Sequence, residues 1–414
     1  MKLLKVLVAA LLLAAMVAPA IAEDRLSLSG EMRTRAFHTD YDIDDVPSFG
    51  TQTWANQRLR IAGKIAVAEG VSVTFRTDIT EGTNWGDSST FFSGPNNPER
   101  SNGFGHARSG SQQQWDRAHL DLDFEMFSLR AGQQYFGTGG TWAIDTQDSG
   151  LTFRFKTALP INLFFIVDKD NGSLNIQDNF LYGGDVQYKG ESASAKLILA
   201  GYHGDDGGDS DTGQNEDVYM VGVQGSGNFG PVKLFGEFDY FDGDAQSKNV
   251  DAFGTQLFVD GSIAAGDAMT FGAQGFYALG DGNDQQYVRL GNGFNGWDPI
   301  MDVGTSLSNE EIPLGNPMDF TGESAGVVGG RLYGNFKATD KLSFGASVAY
   351  LTVEDDKNVD IDEYALAGGM VWKLLPNTSF QLQLQYEDGK VNDTSEGDVD
   401  FTAFRAGTGL FVNF

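Results

Sequence analysis

Most of this chain alternates between apolar and polar side chains in segments of about ten residues, which is the repeat of a β-strand with two different faces. In the first such segment, Leu26, Leu28 and Met32 share one face, while arginine and serine side chains occupy the other. Comparable segments lie at 56–67, 71–80 and 379–388. The alternation predicts an all-β protein.

The links between these segments alternate between short and long, and this order distinguishes one β fold from another. The short links include 69–70, 190–191, 229–230 and 375–377. The long, polar links are 39–52, 81–114, 137–149, 168–178, 204–216, 242–248, 280–324, 354–360 and 388–398. A soluble sandwich has no reason to place every long link at one end, whereas a membrane barrel has short periplasmic turns and long outer loops. We therefore predict a transmembrane antiparallel up-and-down β-barrel of 18 strands, with 16 as the alternative if the pair at 250–279 is misassigned.

The start of the chain has the three parts of a secretory signal peptide. A basic beginning is followed by an apolar run from 6 to 17 and then by Ala20-Ile21-Ala22 before two acids, so cleavage is expected after Ala22. A membrane anchor would need about 20 apolar residues, which is longer than this run. Because no linker interrupts the alternation, residues 23–414 are predicted to form one barrel domain after a signal peptide at 1–22.

Composition excludes several classes of function. The formal net charge of -29 argues against nucleic acid as a partner, because phosphate binding needs clustered Lys and Arg. The chain has no cysteine, which rules out disulfides, cysteine-ligated metals and covalent haem attachment. We therefore predict no cofactor and no nucleic-acid partner.

Motifs that suggest enzymes lack their structural context. Two G-x-G-x-x-G strings, at 225–230 and 291–296, do not lead from a strand into a helix, and "GESAG" at 322–326 has no following helix. The histidines, which lack metal-ligand spacing, are His38, His106, His119 and His203. The sequence therefore predicts a protein that is not an enzyme and holds no metal.

The segment "RAGTGLFVNF" at 405–414 alternates up to a terminal phenylalanine, Phe414. It resembles the C-terminal segment of bacterial outer-membrane barrels, which ends on an aromatic residue. That resemblance implies an outer-membrane location, contact with lipid and lipopolysaccharide, and recognition of Phe414 by the barrel-assembly machinery. Tyrosines at the loop ends and phenylalanines at the turn ends of other strands fit aromatic girdles at both bilayer interfaces.

The inward faces of the first six strands are rich in basic residues, which we predict to line a pore. They are Arg33, Arg35, Arg58, Arg60, Lys64, Arg76, Arg117, Arg130, Arg154 and Lys156. Clustered on neighbouring strands, they favour a transverse field that attracts anions. The alternative is pairing with nearby acids, namely Glu31, Asp78, Asp121 and Asp123. The inward-facing Phe164 and Ile166 do not fit an open pore unless a folded loop covers them.

The segment at 137–149, after the fifth strand, combines three glycines with Trp142 and two acids, Asp145 and Asp148. It resembles the third loop of the general porin family, which folds into the barrel and presents acids opposite arginines. The resemblance implies a constriction formed by Asp145 and Asp148, and a homotrimer. Eighteen strands resemble instead the substrate-specific and alginate-export barrels.

The sequence thus predicts an outer-membrane porin, a water-filled channel for passive diffusion of small hydrophilic solutes and ions. One alternative is a substrate-specific channel in which the long loop at 280–324 acts as a lid. Another is a structural casing around a periplasmic cytochrome conduit. Acidic loops such as 204–216 either bind divalent cations that bridge to lipopolysaccharide or form a solvated rim. Ion preference stays open, because the arginines favour anions and the acidic rim favours cations.

Overall fold

The structure is a computed structural model that describes most of the chain outside its first residues and the long links. The described residues are 25–43, 51–84, 114–138, 144–169, 179–205, 215–244, 251–279, 285–286, 303–307, 326–353, 359–393 and 397–414. The signal peptide predicted at 1–22 lies outside these ranges.

The described residues fold as β-strands joined by turns. The strands are β1 (Leu26–Ile43), β2 (Gln52–Ala68), β3 (Val71–Asn84), β4 (Gln114–Asp123), β5 (Phe127–Thr138), β6 (Ile144–Phe155), β7 (Ile161–Lys169), β8 (Asn179–Lys189), β9 (Ala193–Asp205), β10 (Asn215–Phe229), β11 (Val232–Asp244), β12 (Asp251–Ala265), β13 (Met269–Ala278), β14 (Gln285–Gln286), β15 (Val327–Lys337), β16 (Leu342–Thr352), β17 (Val359–Leu375), β18 (Thr378–Asp393) and β19 (Gly397–Asn413). No helix among them is long and apolar enough to cross a bilayer.

Eighteen of these strands form one closed antiparallel barrel. Each strand pairs with the next along the chain, β13 pairs directly with β15, and β19 returns to β1. The two-residue strand β14 lies apart from this order and pairs in parallel with β12. The predicted count of 18 is confirmed, and the pair at 250–279 is real, since it forms β12 and β13.

The two ends of the barrel differ as the spacing of the links predicted. Short turns such as 69–70, 230–231 and 376–377 join strands at one end, called here the turn end. The longer links, including 85–113 and 279–326, join strands at the other end, called the loop end. The alternation of short and long links is therefore confirmed along the whole wall.

The seam between β1 and β19 closes the barrel and ends on Phe414. The amide of Phe414 donates to the carbonyl of Gly30 at 3.0 Å, and the amide of Gly30 donates to the carbonyl of Phe414 at 2.7 Å. A Cβ atom at Gly30 would lie 2.4 Å from Cζ of Phe414, so the absence of a side chain makes room for the ring. An aromatic ring over a glycine pins the register of neighbouring strands.

The outer face of the wall is apolar, with aromatic side chains at both ends. Exposed aliphatic residues run around it; examples are Val221, Leu234, Leu257, Leu332 and Leu366. Exposed rings lie at the loop end (Tyr240, Tyr350, Tyr364 and Tyr386) and at the turn end (Phe336, Phe344, Trp372 and Phe414). This arrangement confirms the girdles predicted from the sequence, because amphipathic rings prefer the level of the lipid headgroups.

Replacing Phe414 with alanine should lower the free energy of unfolding by about 1 kcal/mol, because the ring no longer packs on Gly30 at the seam. The measurement is urea unfolding of protein refolded in lipid vesicles without cellular machinery. Phe344→Ala, which removes another lipid-facing ring at the turn end, is the control and should lose less. Equal losses would show that the ring of Phe414 contributes lipid contact alone.

Candidate functional site

The predicted basic residues lie on neighbouring strands, and nine of the ten occupy the inner face of the wall. Arg33 and Arg35 are on β1, Arg58, Arg60 and Lys64 on β2, Arg76 on β3, Arg117 on β4, Arg130 on β5 and Arg154 on β6. Lys156 is the exception, because it follows the end of β6 in a turn. Its ammonium group binds Asp123 at 2.5 Å and the carbonyl of Phe124 at 2.7 Å.

Acidic side chains of the same wall neutralise part of this basic cluster. Arg60 donates to both carboxylate oxygens of the fully buried Asp78, each at 2.6 Å. Asp116 bridges two arginines, binding Arg60 at 3.0 Å and Arg76 at 2.6 Å. Two further pairs, each at 2.7 Å, are Arg58–Glu31 and Arg130–Asp121. The pairing that the sequence offered as the alternative is therefore present for all four acids named there.

Arg117 and Arg154 of the cluster have no acidic partner among the described residues. Arg117 lies over the ring of Tyr135, with Cζ 5.9 Å from the ring centroid, and forms no ion pair with a described residue. Arg154 is exposed on the inner face and likewise forms no such pair. These two guanidinium groups, like the exposed ammonium group of Lys64, are among the positive charges that the wall presents to the lumen.

The wall that faces the arginines across the barrel carries acids. In a closed ring of 18 strands, β11 and β12 lie opposite β2 and β3. Glu237 and Asp239 are buried on the inner face of β11, and Asp239 accepts a hydrogen bond from Gln256 at 2.8 Å. Asp260 on β12 accepts from the hydroxyl of Tyr333 at 3.1 Å. These acids therefore lie across from the paired arginines of β2 and β3, whereas Arg117 on β4 and Arg154 on β6 lie across from β13 and β16.

Part of the β5–β6 hairpin leaves the barrel wall. Pairing between β4 and β5 ends at Gln133, and pairing between β6 and β7 ends at Ser149. Beyond these points, residues 134–138 and 144–148 pair with each other and with no other described strand. We call these two stretches the inner ladder, since a ladder without neighbours on either side is no longer part of the wall.

Contacts of its side chains place the inner ladder inside the barrel. Gln147 accepts a hydrogen bond from Arg76 at 3.2 Å, and Tyr135 lies under Arg117. Gly137 lines a small cavity with Arg154 near the turn end. In a straight hairpin, Gly137 would stand nine residues beyond the level of Arg154, which is about 30 Å. The ladder is therefore folded inward and back toward the turn end.

An apolar cluster holds the other face of the inner ladder. Phe136 and Ile144 of the ladder are buried with Phe164 and Ile166 of the wall, and the rings of Phe136 and Phe164 are 6.5 Å apart. The cluster continues through Leu181, Ile198, Ala200, Tyr202, Val218, Met220 and Phe241. Phe164 and Ile166, which did not fit an open pore, thus lie beneath the inner ladder.

The prediction of an irregular third loop at 137–149 needs correction. β5 continues to Thr138 and β6 begins at Ile144, so Asp145 and Asp148 belong to a strand. The Asp148 carboxylate accepts a hydrogen bond from Thr146, while the side chain of Asp145 lies outside the described part of the structure. The ladder side chains that contact the arginines are those of Tyr135 and Gln147, and neither of them is an acid. The glycines of this segment predicted a loop from Gly137 onward, but strand pairing continues to Thr138 and Ile144.

A second segment crosses the inner face of the wall. Residues 303–307, called the strap, lie against β16–β19 near the turn end, with Val303 packed on three inward alanines of that wall. The amide of Ser306 donates to Gln381 at 2.5 Å, and Thr305 donates to Gln383. The strap and β14 (Gln285–Gln286) are the described parts of the long loop predicted at 280–324. The other residues of that loop, and the acidic loop around 206–214, lie outside the described residues.

The residues that suggested enzymes or metal sites stay apart. Among the described residues no group of three or more His, Asp or Glu side chains is placed to hold a metal ion. His119 lies 3.2 Å from Asp121 within the basic wall, and His203 lies 2.7 Å from Asp217 near the loop end. The "GESAG" serine, Ser324, falls outside the described residues.

The alternation missed two features of the site. Asp116 sits in a bulge where β3 and β4 shift register, so counting in twos placed it on the lipid side. Gln134, which is buried at the start of the inner ladder, was not singled out by the sequence analysis. No signal in the alternation marks it, because its role depends on strand pairing.

No protein-family model matches the chain, and no curated protein matches it in sequence. Solved structures do match its fold. OccAB4 of Acinetobacter baumannii is 14% identical with a TM-score of 0.55, and OpdK of Pseudomonas aeruginosa, solved with vanillate, is 10% identical with a TM-score of 0.55. OccK9 (OpdG) of Pseudomonas aeruginosa is 14% identical with a TM-score of 0.53. Each match covers 94% of this chain and 99% of that chain. The predicted likeness to porin-type barrels is thereby confirmed for the fold.

Replacing Asp78 with asparagine should lower the free energy of unfolding by about 2 kcal/mol, because Arg60 loses a buried bidentate partner. The measurement is urea unfolding in lipid vesicles. Glu31→Gln is the control, and it should lose less because the Glu31 side chain is 29% exposed. An Asp78→Asn loss no larger than that of the control would contradict a structural role for the Arg60–Asp78 pair.

Proposed function

We propose that this chain forms a passive channel in the bacterial outer membrane through which small hydrophilic solutes and ions diffuse. The observation that carries the proposal is the inner ladder standing against the arginine wall. Together they narrow a polar lumen beside Arg117 and Arg154. A narrow polar passage lined by cations selects solutes by size and charge.

We infer that the channel prefers anions, and small carboxylates in particular. Guanidinium groups bind carboxylates in a planar, paired geometry, so unpaired arginines favour such solutes over cations. OpdK, which shares the fold, was solved with vanillate, a carboxylate. All the basic residues predicted from the sequence contribute to this wall except Lys156, which lies in a turn. We propose no catalytic role for the chain.

Further proposals complete this assignment. Residues 1–22 direct export and are removed after Ala22. Phe414 presents the last strand to the barrel-assembly machinery, while the exposed outer face contacts lipid and, at the loop end, lipopolysaccharide. The acids Asp145 and Asp148 contribute to the constriction through β6, and three copies associate as a homotrimer. No nucleic acid takes part.

The casing hypothesis is less well supported. A sheath around a cytochrome conduit needs a lumen wide enough to receive another protein, whereas the inner ladder and the strap both occupy this lumen. The strap favours instead the second candidate, a substrate-specific channel. In that case the strap narrows the passage at the turn end, and the solute must fit between it and the arginine wall.

The test is planar-bilayer recording of the purified, folded protein under a salt gradient. We expect ohmic steps and a reversal potential that shows preference for anions. The double variant Arg117→Gln/Arg154→Gln should reduce the anion-to-cation permeability ratio by about twofold or more, since two unpaired charges leave the lumen. Arg25→Gln, which removes an exposed charge ahead of β1, is the control and should change nothing. Silence from folded wild-type protein would overturn the proposed channel.

For the strap, Gly345→Ala should raise the single-channel conductance by about twofold, because it opens the passage at the turn end. A Cβ atom at Gly345 would lie 2.2 Å from the carbonyl oxygen of Val303, so the strap cannot keep its place. Gly368→Ala is the matched control, since its Cβ atom would have 4.0 Å of clearance. Unchanged conductance in Gly345→Ala would show that the strap does not limit flow.

A further inference from the structure

The inner ladder departs from the wall at a pair of glycines. Gly132 of β5 and Gly150 of β6 are direct partners, two steps below the ladder. Gly132 has φ of +120°, a conformation that residues with side chains rarely adopt. A Cβ atom at Gly150 would lie 2.2 Å from the carbonyl oxygen of Phe165. Both strands therefore bend at one level, which we call the hinge.

One side chain joins the two strands of the hinge. The amide nitrogen of Gln134 donates to the carbonyl oxygen of Gly150 at 3.1 Å and, more weakly, to that of Gly132 at 3.4 Å. Its amide oxygen accepts from the hydroxyl of Thr152 at 2.9 Å. The residue is only 1% exposed. Both ends of the amide group are thus engaged within the hinge and away from the lumen.

These bonds depend on the bend. In a regular strand the side chain stands perpendicular to the sheet, whereas the backbone carbonyl groups lie in its plane. A glutamine in a straight hairpin therefore cannot donate to the carbonyl of its own strand and to that of the partner strand. A buried amide that loses its partners is costly, so the bent state is the one in which Gln134 is satisfied. The apolar cluster packs on the same face of the ladder and stabilises the bent state together with these hydrogen bonds.

We propose that Gln134 is the positioning residue that holds the inner ladder in the lumen, and that it thereby sets the width and charge preference of the channel. The effect on conduction rests on the proposed function, whereas the effect on the position of the ladder does not. Gln134 acts through the hinge, because its own amide group contacts backbone and Thr152 and not the passage.

The experiment compares Gln134→Leu with Gln133→Leu. The two variants replace neighbouring glutamines with the same residue, but the side chain of Gln133 lies on the lipid-facing side of β5 and forms none of the hydrogen bonds described for the hinge. Loss of the buried hydrogen bonds should shift the balance between bent and straight ladders by about tenfold. In planar bilayers Gln134→Leu should therefore raise the conductance by about twofold or more and lower the preference for anions, as the ladder leaves the arginines. Gln133→Leu should behave like wild type.

A distance measurement reads the position of the ladder without any current. The chain has no cysteine, so spin labels on Gln147→Cys and Leu159→Cys attach at two known places, one on the ladder and one in the turn below it. Electron–electron resonance should give a longer distance in Gln134→Leu than in the otherwise wild-type or Gln133→Leu background. A straight hairpin separates these positions by roughly 30 Å along the wall.

The outcomes separate the two claims. An unchanged distance in folded Gln134→Leu overturns the positioning role, whatever the currents show. A longer distance in a protein that does not conduct supports the positioning role and overturns the proposed channel. If Gln134→Leu fails to fold, Thr152→Val removes only the bond to the amide oxygen. In Thr152→Val the distance between the two labels should increase by less than in Gln134→Leu. An unchanged distance in Thr152→Val would then overturn the proposal.

Discussion

The need to pair every backbone amide and carbonyl inside a bilayer governs this structure. Lipid offers no hydrogen bonds, so a sheet that crosses it must have no free edge. The chain meets this requirement at the seam of β1 and β19, which continues to the last residue through the two bonds between Gly30 and Phe414. Closure then creates a lumen in which backbone can leave the wall, because water or protein can satisfy it there. The inner ladder and the strap both depend on that freedom. The strap bonds to Gln381 and Gln383, and the hinge bonds to Gln134.

Electrostatics in the lumen follows from which arginines are paired. Arg60 and Arg76 share Asp116, and Asp78 completes a compact network that stiffens β2–β4. Such pairs hold the wall but present little net charge. Arg117 and Arg154, which pair with no described acid, are among the charges that a passing solute meets. The inner ladder covers Arg117 with Tyr135 and leaves Arg154 open to a cavity, so the placement of the ladder decides how much of the positive wall is accessible.

Much of the wall was predictable from the sequence, because a period of two reports directly which residues face lipid. The inward positions of Arg33 to Arg154 follow from that period, and the strand count and the two ends of the barrel follow from the spacing of the links between the segments. The period failed at Asp116, where a bulge shifts the phase, and at residues 137–149, where glycines suggested a loop but strand pairing continues. The inner ladder keeps the alternation of a wall strand, so its departure into the lumen shows in the sequence only indirectly, through the inward-facing Phe164 and Ile166 that need a cover. That departure depends on Gly132, Gly150 and Gln134 meeting in three dimensions.

Amide hydrogen exchange of the protein in lipid vesicles would test the closed barrel most directly. The seam amides at 30–43 and 401–413 should exchange as slowly as those of β9 and β10, because each strand there has a neighbour on both sides. The inner ladder at 134–138 and 144–148 should exchange faster, since each of its strands has one neighbour. Rapid exchange along both β1 and β19 would mean an open sheet, and it would contradict the barrel on which the proposed channel depends.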